Sequence, residues 1–297
     1  MFEAFLEALN GSLNWTWKMI TFDVPWYTNY FYGLIAISLV IWMLELAFPW
    51  RKDQGAFRKD FWLDGFYMFF NFFVFSIAIA GFYKVIGVGF GRVGLEWDSF
   101  AIVDMNSWPL WLQLVTFFIV LDFLQWFTHV LLHRYEFLWR FHKVHHSVEE
   151  MGFAAHMRYH WMENLFYKPL KTLGAMLICG LLVSDSGQLL EAPQKAYIVH
   201  FVSLAIGHLN HANIHITWGP LRYVFNNPVM HLWHHVYHLP EGRTRGINFG
   251  ISLSMWDYLF GTASIPKDDA HIKLGYPGME KMPESFLGQL VYGFKRK

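Results

Sequence analysis

Three long apolar runs constrain this chain first: residues 30–48 ("YFYGLIAISLVIWMLELAF"), 66–83 ("FYMFFNFFVFSIAIAGFY") and 110–132 ("LWLQLVTFFIVLDFLQWFTHVLL"). A helix needs about 20 apolar residues to cross the hydrocarbon core of a bilayer, so each run predicts a membrane span. Trp and Tyr flank the runs, as expected at headgroup level. Two shorter runs, 170–183 and 196–209, are about fourteen residues each, a length typical of re-entrant segments. They predict a helical hairpin that enters the membrane and returns to the same side. Residues 1–20 carry Glu3 and Glu7 early and lack a continuous apolar core, so they read as an amphipathic helix at the interface and not as a cleavable signal peptide. The fold class is therefore all-α: a multi-pass membrane helical bundle of three spans plus a hairpin, one domain over residues 1–297.

Lys and Arg in short loops set the orientation. Arg51, Lys52, Arg58 and Lys59 follow the first run, and Arg134, Arg140 and Lys143 follow the third. Between the second and third runs Arg92 stands against Glu96, Asp98 and Asp104. The first and third of these segments are thus expected in the cytoplasm, with a cap built from residues 133–169 and 210–297. Only 15% of residues are charged and the formal net charge is zero. With no basic excess to neutralise phosphates, nucleic acid is excluded as a natural partner. The single cysteine, Cys179, rules out an intramolecular disulfide and a cysteine-based zinc site.

The cap is rich in histidine at helical spacing. His129 and His133 are i, i+4, and so are His211 and His215; His142, His145 and His146 are i, i+3, i+4, and so are His231, His234 and His235. Residues three and four apart share a helix face, so each group is able to aim two or three imidazoles at one point. One structural zinc takes four ligands and a catalytic zinc takes three. Ten histidines exceed either need and predict two metal ions. Imidazole suits Zn, Cu, Fe and Ni, which leaves iron and zinc both open. The hydrolase signature H-E-x-x-H is absent, which disfavours zinc hydrolysis. Asp122, seven residues before His129 inside the third run, is an expensive charge in a membrane and needs a partner. It is expected to orient a ligand histidine, since such ligands donate their second N–H to a carboxylate or carbonyl.

The segments "DFLQWFTHVLLHR", "LWRFHKVHHSVEEM", "HANI", "WGPLRYVFNNPVMHLWHH" and "NFGISLSMWDYLFGT" together resemble the fatty acid hydroxylase/sterol desaturase superfamily over about residues 122–262. The resemblance implies a membrane-bound non-haem di-iron enzyme that uses oxygen as co-substrate and electrons from a separate redox protein to hydroxylate or desaturate a lipid. It maps His129, His133, His142, His145, His146, His211, His231, His234 and His235 onto the metal ligands, with His215 extending the pattern. Arg158 and Glu163 fall where relatives carry an arginine and a glutamate; either a salt bridge fixing the cap or contact with the site would account for them. Zinc in a purified form would not exclude iron in the cell. Fatty acyl, sterol and ether lipids all remain open as substrates. From another class, a histidine-lined metal transporter would spread ligands across the midplane of several spans, whereas these groups cluster at one face.

Overall fold

The structure is a computed structural model that describes residues 1–94, 105, 108–178, 192–267 and 269–294. Cys179, the turn of the expected hairpin, and Glu96, Asp98 and Asp104 of the second loop lie outside the described residues. The helices are α1 (Phe2–Ile20), α2 (Tyr30–Ala47), α3 (Phe61–Phe69), α4 (Phe75–Arg92), α5 (Leu110–Arg134), α6 (Glu136–His142), α7 (Trp161–Ile178), α8 (Ala192–His211), α9 (Pro228–His234), α10 (Met255–Leu259) and α11 (Phe286–Leu290). Among the described residues no strand forms, only three isolated antiparallel bridges.

Among the described residues three helical stretches are long and apolar enough to cross a membrane: Tyr30–Ala47, Phe61–Arg92 and Leu110–Arg134. The second is longer than the apolar run 66–83 because α3 and α4 join through a π-helical turn, Phe70–Val74. It also begins earlier, at a segment containing Asp64, whose charge is met by Arg58 at 2.6 Å. α7 and α8 are helical and extend beyond the two short apolar runs.

The chain packs as two compact units. In the unit formed by Met1–Ile37, Phe69–Leu121 and Pro169–Val202, α1 lies on α4, with the Phe5 and Phe82 rings 5.3 Å apart. The Asn29 side chain donates to Met19 O at 2.9 Å and fixes the turn from α1 into α2. Tyr30, Tyr197 and Phe201 pack ring against ring. His200 is exposed there, beside Phe72; a buried position would have been the ordinary expectation for a histidine in an apolar run.

The other unit comprises Ser38–Met68, Asp122–Lys168 and Ser203–Lys297 and contains all ten histidines singled out above. Its apolar core groups Val148, Met151, Ala155, Leu232 and Leu274, with Val229, Trp233 and Ile247 beside them. α9 is buried along its whole length, so Val229, Leu232 and Trp233 anchor it in that core while its histidines project elsewhere. Each such fully buried apolar side chain is worth about 1.5–3 kcal/mol. That packing is what holds the α9 imidazoles still.

Candidate metal centre

Five elements supply the imidazoles. The C-terminal end of α5 carries His129 and His133. His142 is the last residue of α6, and His145 and His146 follow in a 3-10 turn, His145–Ser147. α8 ends on His211. α9 starts where Asn227 Oδ1 accepts from Met230 N at 2.9 Å and Pro228 takes the first turn, a capping pair that sets the register of His231, His234 and His235.

These side chains converge into two groups, His129, His133, His142, His146 and His234 in one, and His145, His211, His231 and His235 in the other, with the ligating nitrogens of each group within 4.8 Å of one another. Each H-x-x-H-H triple is divided. The first sends its outer pair, His142 and His146, to one group and His145 to the other; the second does the reverse. Adjacent histidines diverge because neighbouring residues on a helix do not face one way. The rings of His145 and His146 stand at 87° and those of His234 and His235 at 86°. A histidine doublet is thus a device for serving two centres from one backbone site.

Hydrogen bonding fixes which nitrogen is available. Nδ1 donates to a backbone carbonyl in His129 (Phe249 O, 2.8 Å), His145 (Arg158 O, 3.0 Å), His211 (Gly207 O, 2.8 Å) and His234 (Ile247 O, 2.7 Å). A carbonyl only accepts, so in the neutral ring the proton sits on Nδ1 and Nε2 is a bare lone pair. The Nε2 atoms of His145 and His211 face each other at 3.5 Å with no proton to share, and His234 Nε2 is buried without a partner. His231 and His235 turn their Nε2 atoms inward, His231 Nε2 lying 2.9 Å from His211 Nε2 and 3.3 Å from His235 Nε2, while their Nδ1 atoms on the far side of the rings are buried. Nitrogens bound at about 2.0–2.1 Å to one ion would lie roughly 3 Å apart, as His133 and His146 (3.1 Å) and His211 and His231 (2.9 Å) do. Converging lone pairs, buried and unpaired, fit a metal ion in each group. Burial also keeps the rings neutral: it pushes His145 down to about 3, and His146, His231, His234 and His235 well below the ordinary histidine value.

The acceptors around the rings are themselves anchored. His142 Nδ1 meets Glu163 Oε2 at 2.7 Å, a carboxylate–histidine pair of the kind that orients metal ligands; burial raises Glu163 to about 8. Asp257 accepts from Phe249 N, Gly250 N, Trp126 and Thr262, fixing the loop that offers Phe249 O to His129. Two glycines allow close approach. A Cβ on Gly246, which has φ +104°, would come within 2.9 Å of His133 Nδ1, and one on Gly207 would overlap the His156 ring.

Nine of the ten sequence-predicted histidines are brought together. His215 is not: the helix ends at His211, residues 212–214 leave it, and Ile214 pairs with Pro49. Helical spacing therefore stops applying, and the His215 ring packs 5.0 Å from Trp50. Asp122 reaches no histidine; it accepts from Ser252 N, Leu253 N and Trp256 Nε1. Arg158 meets the site through its backbone carbonyl, while its guanidinium pairs with Asp60 at 2.9 Å and Asp64 at 3.3 Å. Glu163 was visible in the sequence only as a neighbour of Arg158. The four backbone carbonyls had no side-chain signal at all. His156 and His208, outside the expected ligand set, pair through Nδ1 atoms 2.8 Å apart, and the His156 ring lies 5.1 Å from that of His211.

Glu163→Gln is expected to weaken metal binding about 10-fold and Glu163→Leu about 100-fold, the range for removing such a partner. Chelator competition on the purified chain measures this. Equal affinity in all three proteins would show that the carboxylate does not tune His142.

Helices long and apolar enough to cross a membrane, joined to a buried double cluster of imidazoles able to hold metal ions, are the features that set the class of this protein. Sequence comparison narrows that class: the fatty acid hydroxylase profile matches residues 114–262, and the chain belongs to this family. It is 33% identical over 193 residues to the ornithine lipid hydroxylase OlsE of Rhizobium tropici, covering 65% of this chain and 53% of that protein. It is 26% identical over 275 residues to the alkylglycerol monooxygenase of Danio rerio, covering 86% and 52%. The same enzyme of Caenorhabditis elegans matches at 27% over 179 residues, 59% and 31% of the two chains. The chain spans about half the length, or less, of these curated relatives. No solved structure matches it.

Proposed function

We propose that this chain is a membrane-bound, oxygen-dependent hydroxylase that inserts one oxygen atom into a C–H bond of a polar membrane lipid. The observation that carries the reading is the pair of buried imidazole groups whose lone pairs converge, in a chain of the fatty acid hydroxylase family. Two iron ions held there would supply the activation of molecular oxygen. The protein's own part is to hold nine imidazoles in one tautomer and orientation, and to exclude water from the reactive space. Burial of every ligand except the half-buried His133 serves that exclusion. The names of the relatives favour an ornithine lipid or an alkylglycerol as first test substrates. Electrons would come from a separate protein. The distribution of Lys and Arg favours a cytoplasmic centre, in a bacterial inner membrane or the endoplasmic reticulum.

With isotopically labelled oxygen gas, an iron-loaded preparation and a competent reductase, one labelled atom is expected in the lipid product, and none with His146→Ala. An unlabelled product two hydrogens lighter would mean desaturation. No oxygen consumption on either lipid class, with metal and electron supply verified, would overturn the reading.

A further inference from the structure

At the end of α2 the chain leaves its apolar helix through Phe48, Pro49 and Trp50 and at once meets Arg51 and Lys52. This stretch is clamped. Pro49 bridges Ile214, Trp50 N donates to Asn213 O at 3.0 Å, and Asn213 exchanges side-chain hydrogen bonds with Arg51 N and Arg51 O at 2.9 and 3.0 Å. Glu45 Oε1 accepts from Asn213 N at 2.8 Å, tying the clamp back to α2. Beside it lies an open groove of about 520 Å³ lined by Phe48, Pro49, Trp50, Lys52, Ile214 and His215.

Two chemistries meet in this groove. Lys52 and His215 are exposed N–H donors, and no carboxylate is among the lining residues. On the other side, Phe48 still accepts a helical register, its N–H bonded to Leu44 O at 2.9 Å. Val40, Leu44 and Phe48 therefore form one stripe at i, i+4, i+8 that runs from the groove along α2. They are 50%, 37% and 67% exposed. α2 is itself long and apolar enough to cross a membrane, so the stripe faces hydrocarbon while the groove sits at its edge, where a Trp such as Trp50 is at home.

We propose that this groove binds one anionic phospholipid, its phosphate between Lys52 and His215 and an acyl chain on the Val40–Leu44–Phe48 stripe. Charge selects the headgroup, since the exposed Lys52 ammonium beside the bilayer surface attracts anionic lipid. The preformed clamp keeps the ordering cost of binding low. The proposal does not rest on the hydroxylase reading, because a lipid held here is a ligand whether or not the imidazole groups act on it.

The test is native mass spectrometry of the full chain in detergent, titrated with phosphatidylglycerol, phosphatidylcholine and glycerol 1-phosphate, with metal content measured in parallel. Phosphatidylglycerol should bind more tightly than phosphatidylcholine, and glycerol 1-phosphate should not displace it. Lys52→Ala should weaken phosphatidylglycerol on the order of five-fold, the worth of one lysine at a membrane surface, and Lys52→Ala with His215→Ala should weaken it further. Lys59→Ala, an exposed cation paired with Glu149 outside the groove, should change nothing, and metal content should stay as in the wild type. Undiminished phosphatidylglycerol binding by the double variant overturns the proposal. So does displacement by glycerol 1-phosphate, which would make the groove a free-anion site. Loss of hydroxylation alone, with lipid binding intact, would count against the proposed function and leave this site standing.

Discussion

His234→Ala and His235→Ala are each expected to leave about one transition-metal ion per chain, and to leave different ones. The two residues are adjacent, their rings stand at 86°, and they belong to different imidazole groups. If both served one ion, the double variant would lose no more than either single one. Because they stand in two different groups, His234→Ala with His235→Ala should bring the metal content close to zero. His234→Ala with His146→Ala, both in one group, should stay near one ion. Hydroxylation should fall by more than about 10²-fold in every case, since removing a ligand exceeds the 10–100-fold effect of removing a ligand's partner. Metal analysis of the four purified proteins decides it. A single ion retained in the His234/His235 double variant would mean the triples are not divided as the ring positions require.

The division of the triples marks the boundary of what the sequence could reveal. Spacing alone placed His142, His145 and His146 on one helix face, yet α6 stops at His142 and a 3-10 turn follows, so the backbone turns between ligands. The long apolar helices were legible because composition and length suffice to define them. The start of the second span was not. It runs through Asp64, and a buried charge is tolerated there only because Arg58 and Arg158, six and 94 residues away in sequence, meet it.

His215 and Asp122 show the same limit from the side of the site. An i, i+4 pair implies a shared face only if the helix continues, and Asn213 ends that continuity by bonding to Arg51, 162 residues away. Nothing local announces that contact. Asp122 needed a partner, as any carboxylate in a span does, but it found backbone N–H groups of Ser252 and Leu253 instead of an imidazole. The histidines in turn found carbonyls of Gly207, Ile247, Phe249 and Arg158. Backbone acceptors are identical at every residue, so no sequence pattern distinguishes those that orient a ligand. Glu163, the carboxylate on the His142 ring, was readable as a residue type in a suggestive position and no further.

Asp64→Ala is expected to destabilise the protein by about 3–5 kcal/mol, the cost of removing one partner from a buried ion pair. Asp64 and Arg158 are almost wholly buried, and Arg58 nearly so; Asp64 lies 2.6 Å from Arg58 Nη2 and 3.3 Å from Arg158 Nη1. Without it the buried Arg58 guanidinium loses this ion pair, and Arg158 is left with Asp60, whose side chain is about a quarter exposed, at 24%. An arginine guanidinium does not give up its proton inside a protein, so neither Arg58 nor Arg158 escapes the penalty by becoming neutral. Asp60→Ala should cost much less, because solvent already screens that contact. The effect should reach the metal centre by one route. Arg158 O holds the Nδ1 proton of His145 at 3.0 Å, so displacement of the Arg158 segment frees that ring and should lower metal content toward one ion per chain. Thermal unfolding in detergent, with metal analysis of the same samples, tests both links. An Asp64→Ala protein with a wild-type midpoint would show that the pair adds no stability; one that is destabilised yet keeps both ions would show that His145 does not depend on the Arg158 carbonyl for its orientation.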